Sequence, residues 1–230
     1  MTSVPTNPLI SVIIPVRNAS KYIGEAIDSV QCQPVNANIE IIVVDDDSSD
    51  DSGHIAQKMG CKVFRIPHSG PIKARNTGLE NARGNFILFA DADDVLRIDA
   101  LSVMYNELIS DQRLQVVLAM RKDFISPDYA GNGQNPEPAR PDPYFGAIAG
   151  CALMRREVFA ITGKFDESLN MSGDAMAWLL ELQSKAVKTK KIQYIAVNRR
   201  IHSSNMGKTN KEQEYKDYLK ILLRKSNMRK

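Results

Sequence analysis

Three cysteines in 230 residues, Cys32, Cys61 and Cys151, form no CxxC pair, so neither a zinc site nor a dithiol redox centre is expected. Their odd number and scatter also exclude a disulfide framework and fit buried or incidental thiols in a reducing compartment. No apolar run approaches the ~18 residues that a membrane-spanning helix needs. The opening MTSVPTNPLI has no charged n-region and no apolar h-region, so a signal peptide is not expected. Cytoplasmic placement is expected, with peripheral contact at the inner face of the membrane left open. Neither sign of charge dominates: 30 Lys and Arg stand against 27 Asp and Glu, a net +3, which gives no case for a nucleic-acid partner. What is present is ordinary for a soluble domain able to bury a core, with 43% hydrophobic and 25% charged residues.

The order of patterns is informative. ISVIIP (10–15) is short, β-branched and apolar on both faces, as a buried strand of a parallel sheet is. NASKYIGEAIDSVQ follows at helical spacing, with Ser20 as candidate N-cap. IEIIVVDD (39–46) is a second such strand, and SDDSGHIAQKMG a short helix ended by Gly60. CKVFRIP, a helix over IKARNTGLENARG stopped at Gly84, NFILFAD and a helix over DALSVMYNELISD continue the rhythm. Alternation at this tempo predicts an α/β fold, a Rossmann-like and mostly parallel central sheet flanked by helices. The Gly-, Pro- and Asn-rich stretch 126–143 breaks the pattern and reads as a mobile loop. Strand and helix resume in GAIAGCALMRREVFAI, followed by a helix over GDAMAWLLELQSK and a strand over KKIQYIAVNRRIH. The last 23 residues, from Lys208, hold eight basic and three acidic residues at amphipathic spacing. This tail helix has three candidate uses: packing on the domain, pairing in a homodimer, or resting on anionic lipid.

Two groups of acids follow strands: Asp45, Asp46 and Asp47, then Asp91, Asp93 and Asp94. In open α/β sheets that edge is where ligands bind. Like charges gathered there cost energy unless a cation or hydrogen-bond donors compensate. Oxygen-only donors suit a hard divalent ion such as Mg2+ or Mn2+. Turn formation and helix capping are the plain alternatives for every one of these aspartates, and Asp50 and Asp51 are read as doing only that.

The segments SVIIPVRNASKYIGEAIDSV, IEIIVVDDDSSDDS, HSGPIKARNTGLENARGNFILFADADD, GKFDESLNMSGDAMAWLLEL and RRIHSSNMG, in this order and spacing, resemble glycosyltransferase family 2, the inverting transferases of GT-A fold. The resemblance covers about Ile10 to Met206. It implies a single GT-A domain over 10–206, with a nucleotide-binding half (10–96), an acceptor half (97–206) and the 126–143 loop. The flanks are an extension (1–9) and the basic tail helix (207–230).

The resemblance also implies roles. A nucleotide-sugar donor, most simply a UDP-sugar, would lie against Pro15 and Arg17, with the base N–H on Asp46 and Lys73 and Arg75 near the phosphates. Arg17 stands where many relatives carry an aromatic, and a guanidinium stacks as well. Asp93 would be the chief ligand of a Mn2+ or Mg2+ ion, Asp91 would reach the ribose or the ion, and His202 would approach the ion or the diphosphate. Asp174, in SGD where GED is commoner, matches the base that deprotonates a hydroxyl on a glycan or lipid-linked acceptor. Each has a plainer reading: Asp174 as helix N-cap, His202 as a lone histidine, and Arg199 and Arg200 as strand-edge residues or phosphate donors. Trp178 is read as core, and His54 and His68 as structural. The rival implication is a GT-A domain without catalysis that holds a sugar nucleotide or a protein partner.

Overall fold

The computed structural model describes residues 7–129, 139–146, 150–169, 182, 185–203 and 205. The loop centre at 130–138, the Asp174 and Trp178 helix and the basic tail lie outside the described residues. Strand β1 (Leu9–Val16) is paired in parallel with β2 (Asn38–Asp46) on one side and β4 (Phe86–Phe89) on the other. Strand β3 (Lys62–Ile66) extends the parallel run beyond β2. The sheet continues from β4 through β8 (Ala152–Arg155), β6 (Val116–Ile125) and β9 (Thr189–Ile201) to β5 (Val95–Leu96), and β7 (Tyr144–Phe145) adds to β6. The pairings of β8 with β4 and β6 are antiparallel, while β9 runs parallel to β6. The expected α/β sheet is therefore mixed: fully parallel in the first half and interleaved in the second.

This topology decides what meets what. Because β8 reverses twice between β4 and β6, strands β6 and β9 run in the same direction as β1, β2 and β4. The carboxyl ends of β1, β2, β4, β6 and β9 thus share one edge, and residues 17–22, 46–48, 90–94, 199–203 and 205 converge there although more than 100 positions separate some of them.

Side-chain alternation divides the core between the two faces. Ile10, Val12, Ile14 and Val16 pack under α1 (Ile23–Gln31) and α4 (Ala100–Ser110), with Ala56 of α2 (Ser52–Lys58) at the margin. Ile13, Ile42, Val44 and Phe89 face α3 (Pro71–Asn81) and α5 (Val158–Thr162). Burial of such side chains contributes roughly 1.5–3 kcal/mol each. Helix α3 lies directly on β1: a Cβ at Gly78 would stand 2.2 Å from Ile13 Cγ2, so only glycine permits the approach. Burial pushes the thiols of Cys61 and Cys151 up to about 11 and about 12, so both stay protonated and unreactive.

Some sequence expectations move. Ser20 does not cap α1; residues 19–22 form a turn in which Tyr22 and Ile23 donate to the Ala19 carbonyl, and Tyr22 is the N-cap. The Ser20 amide instead donates to Asp50. Helix α3 ends at Asn81 rather than at Gly84, whose absent side chain lets the chain pass within contact of the Ser11 amide. Strand β6, ten residues long, was not anticipated between α4 and the loop.

Candidate functional site

The first aspartate group is a solved hydrogen-bond problem. Asp45 accepts the Ser48 amide at 2.8 Å. Asp47 sits at φ 59 and pairs with Arg65 at 3.0 Å on the surface. Asp46 is buried, and its carboxylate accepts the amides of Ser69 (2.6 Å) and Gly70 (3.0 Å) and lies 2.8 Å from His68 Nδ1. Arg17 Nη1 is 2.9 Å from His68 Nε2. A guanidinium only donates, so Nε2 is the acceptor and Nδ1–H donates to Asp46. A polar chain Arg17–His68–Asp46 thus spans the ends of β1 and β2. His68, expected to be structural, joins two residues singled out for the nucleotide, although 51 positions separate it from Arg17.

The second group is not settled in the same way. Asp91, Asp93 and Asp94 each offer an oxygen within 4.8 Å of the others. Asp94 is only 8% exposed and accepts the Arg200 amide at 2.9 Å. Burial, and then the nearby charges of Asp93 and Asp91, push its carboxyl well above the usual carboxylate range, outweighing the Arg200 amide and the Arg121 guanidinium. Asp94 is the inward member of the trio, and Asp91 and Asp93 are the half-exposed ones. Asp91 lies 3.4 Å from Arg75 Nη2. Asp93 Oδ2 lies 2.8 Å from His202 Nε2 and 3.3 Å from Asn205 Nδ2.

Behind this group stands Arg200, 5% exposed. Its Nε donates to the Asp93 carbonyl at 3.0 Å, its Nη1 lies 3.4 Å from Ser126 Oγ, and its Nη2 pairs with Glu25. The guanidinium lies 5.0 Å from the Tyr22 ring centroid and 4.7 Å from that of Phe124. Tyr22 also meets the His202 ring at 4.6 Å. Arg200 therefore faces inward as a buttress of the 93–94 turn and is neither a phosphate donor nor a solvated edge residue. Sequence patterning reads Tyr22 as one more apolar repeat of α1, and nothing in the spacing signals its contact with residues 200 and 202.

Of the sequence-predicted residues, the structure brings Arg75, Asp91, Asp93 and His202 together, and Arg17 with Asp46. Pro15 is the β1 residue opposite Val44. Lys73 projects to Glu167, 3.3 Å away, instead of joining either group. Asp174 lies outside the described residues.

Residues 11–161 match the family model described as glycosyl transferase family 2. The chain belongs to glycosyltransferase family 2. It is similar to the uncharacterized glycosyltransferase RP339 of Rickettsia prowazekii, with 29% identity over 95% of this chain and 73% of that protein. It spans as little as 15% of other curated relatives. Among solved structures, TarS 1–349 of S. aureus in complex with UDP-GlcNAc superposes with a TM-score of 0.68 at 22% identity, over 87% of this chain and 60% of that one. The mannosyltransferase PcManGT of Pyrobaculum calidifontis, in complex with GDP-Man and Mn2+, gives 0.63 at 17% identity, over 86% and 58%. At these identities the likeness concerns the fold, which is GT-A. Among the described residues no helix is long and apolar enough to cross a membrane.

Proposed function

We propose that this glycosyltransferase moves a sugar, with inversion, from a UDP-sugar to a hydroxyl of a glycan, polysaccharide or lipid-linked acceptor, and that it needs a divalent cation. The observation that carries this reading is the trio Asp91, Asp93 and Asp94 at the carboxyl edge of a GT-A sheet, with three ligand oxygens within 4.8 Å. The donor set is all oxygen, with His202 at its border, and fits Mn2+ or Mg2+. Asp93 and Asp91 would hold the ion, with His202 beside them and Asp94 buried behind them. When bound, such an ion supplies Lewis-acid neutralisation of the charge that develops on a departing diphosphate. The solved complexes of two neighbours with UDP-GlcNAc and with GDP-Man and Mn2+ support the ligand class.

The chain's own groups do the rest. Arg17 and His68 form a polar wall on which a base can stack, and Asp46 keeps acceptor capacity beyond its three present partners for a base N–H. Arg75 places a guanidinium beside Asp91, within reach of phosphate oxygens. Asp174, on the strength of the motif match, takes the proton of the attacking hydroxyl. Hydrolysis of a panel of UDP-, GDP- and dTDP-sugars, with and without Mn2+, tests the reading. Slow, Mn2+-dependent hydrolysis of a UDP-sugar, lost in Asp174→Asn with UDP binding retained, is expected. Wild-type turnover by Asp174→Asn would remove the base assignment, and no turnover of any donor would favour a binding domain.

A further inference from the structure

Beside the crowded aspartates lies a crowd of the opposite sign. Arg121 and Asp123 stand on β6. Arg199 of β9 is the Cα partner of Asp123, and Tyr144 of β7 is the partner of Arg121. The guanidiniums of Arg121 and Arg140 lie 4.9 Å and 4.4 Å from the centroid of the one Tyr144 ring. Tyr144 donates its hydroxyl to Asp123 Oδ1 at 2.7 Å, and the Arg140 amide donates to Asp123 Oδ2 at 3.1 Å. Arg199 Nη1 stands 3.7 Å from that same oxygen. Of these three arginines only Arg199 brings its guanidinium to the one buried carboxylate; those of Arg121 and Arg140 lie against the Tyr144 ring. The Nε of Arg121 is buried with no hydrogen-bond partner. A ring face offers a cation attraction but no acceptor of this kind, and an unmet buried donor of a charged group is costly.

The cluster also has a place. Strands β6 and β9 end at the edge that carries Asp93. Both Arg121 and Arg199 are near enough to Asp94 for each to act on it electrostatically. Three guanidiniums gathered at these strands outnumber the carboxylates beside them, and such forks are suited to bidentate contact with phosphate or carboxylate.

We propose that Arg121, Arg140 and Arg199 form an oxyanion-binding wall beside the transfer site, which takes a phosphate or carboxylate carried by the acceptor or by the sugar being moved. The words acceptor and sugar rest on the glycosyltransferase reading; the wall itself rests on the charges and the unmet donor.

The test is calorimetric titration of the UDP- and Mn2+-loaded protein with glycerol 3-phosphate and with glucuronate, against glycerol and glucose as neutral counterparts. Millimolar binding of at least one anion is expected, with none of its neutral counterpart. Arg121→Gln and Arg140→Gln should each weaken it at least fivefold. Arg140 is exposed, so its variant keeps the test alive if the Arg121 variant fails to fold. The ratio of UDP-glucuronate to UDP-glucose hydrolysis separates the sources: a ratio that falls in Arg140→Gln assigns the anion to the moving sugar, and an unmoved ratio assigns it to the acceptor. If neither anion binds, or if both variants bind it as the wild type does, the wall is not a site. Should UDP itself not bind, the glycosyltransferase reading is what fails, and the same anions titrated into the unloaded protein still decide the wall.

Discussion

Two aspartate triplets end two parallel strands of one sheet, and they have opposite fates. At 45–47 each carboxylate is matched by donors that the fold supplies: backbone amides of Ser48, Ser69 and Gly70, the His68 ring and the Arg65 guanidinium. At 91–94 the carboxylates also have donors, in Arg75, His202, Asn205 and the Arg200 amide, but their oxygens stand within 4.8 Å of one another, and burial with the charges of Asp93 and Asp91 raises the pKa of Asp94. Same residue type and same strand-end position thus give separately matched carboxylates in one case and a crowded cluster of them in the other. The difference teaches that composition at a sheet edge does not identify a cation site; the crowding of carboxylate oxygens does.

The sharpest way to break the comparison is to remove one carboxylate from each triplet. Asp93→Asn should lower Mn2+-dependent UDP affinity at least 100-fold and leave metal-free binding alone. Asp46→Asn should weaken UDP binding equally with and without Mn2+, because it alters the base wall only. Equal loss from both in the presence of Mn2+ and in its absence would erase the distinction. Next in size, Arg200→Met should cost about tenfold in Mn2+-dependent UDP affinity, since it frees the 93–94 turn from behind without touching a ligand atom. A shift of the Mn2+ dependence itself, not of UDP affinity in chelator, separates this positioning role from a general loss of packing.

A carboxylate at the other end of the sheet supplies the contrast in pH. Burial alone would raise Glu40, yet the Lys62 ammonium, the Ser11 hydroxyl and the Arg83 amide bring its carboxyl down to about 2. Its folded pKa lies below the ordinary 4.5, so its contribution is complete above that pH and is lost as pH falls towards 2. Urea unfolding of the wild type and of Glu40→Gln should differ by on the order of 2 kcal/mol more at pH 6 than at pH 2.5. A constant difference would mean that Glu40 acts by packing. The smallest effect is expected from Asp94→Asn. An amide replaces a carboxyl whose charged form is disfavoured by burial and by Asp93 and Asp91, and can still accept the Arg200 amide, so Mn2+-dependent UDP affinity should stay within about threefold. A 100-fold loss would make Asp94 a charged ligand after all.

Much of the fold was legible in the sequence because β1 and β2 are apolar on both faces, and only a sheet covered by helices on both sides asks for that. Strand β6 escaped notice because its second half, Arg121 to Asp123, is charged and its pairing with β9 is bulged, so neither alternation nor a pure apolar run marks it. Strands β5 and β7, two residues each, leave no periodic trace. The site was legible to the extent that motifs name residues: Asp91, Asp93, Arg75 and His202 do come together. What links them was not. Arg200 turns inward because the rings of Tyr22 and Phe124 and the Asp93 carbonyl enclose its guanidinium, a contact across more than 100 positions. The Arg17–His68 contact likewise exists only once β1 and the segment after β3 are brought to one edge.

The central claim, that the 91–94 triplet is a cation socket serving a nucleotide diphosphate, is tested most directly by titrating UDP into the wild-type protein in Mn2+ and again in chelator. Affinity at least tenfold tighter in Mn2+ is the expected result. Equal affinity in the two titrations, with no Mn2+ retained alongside UDP, would contradict it.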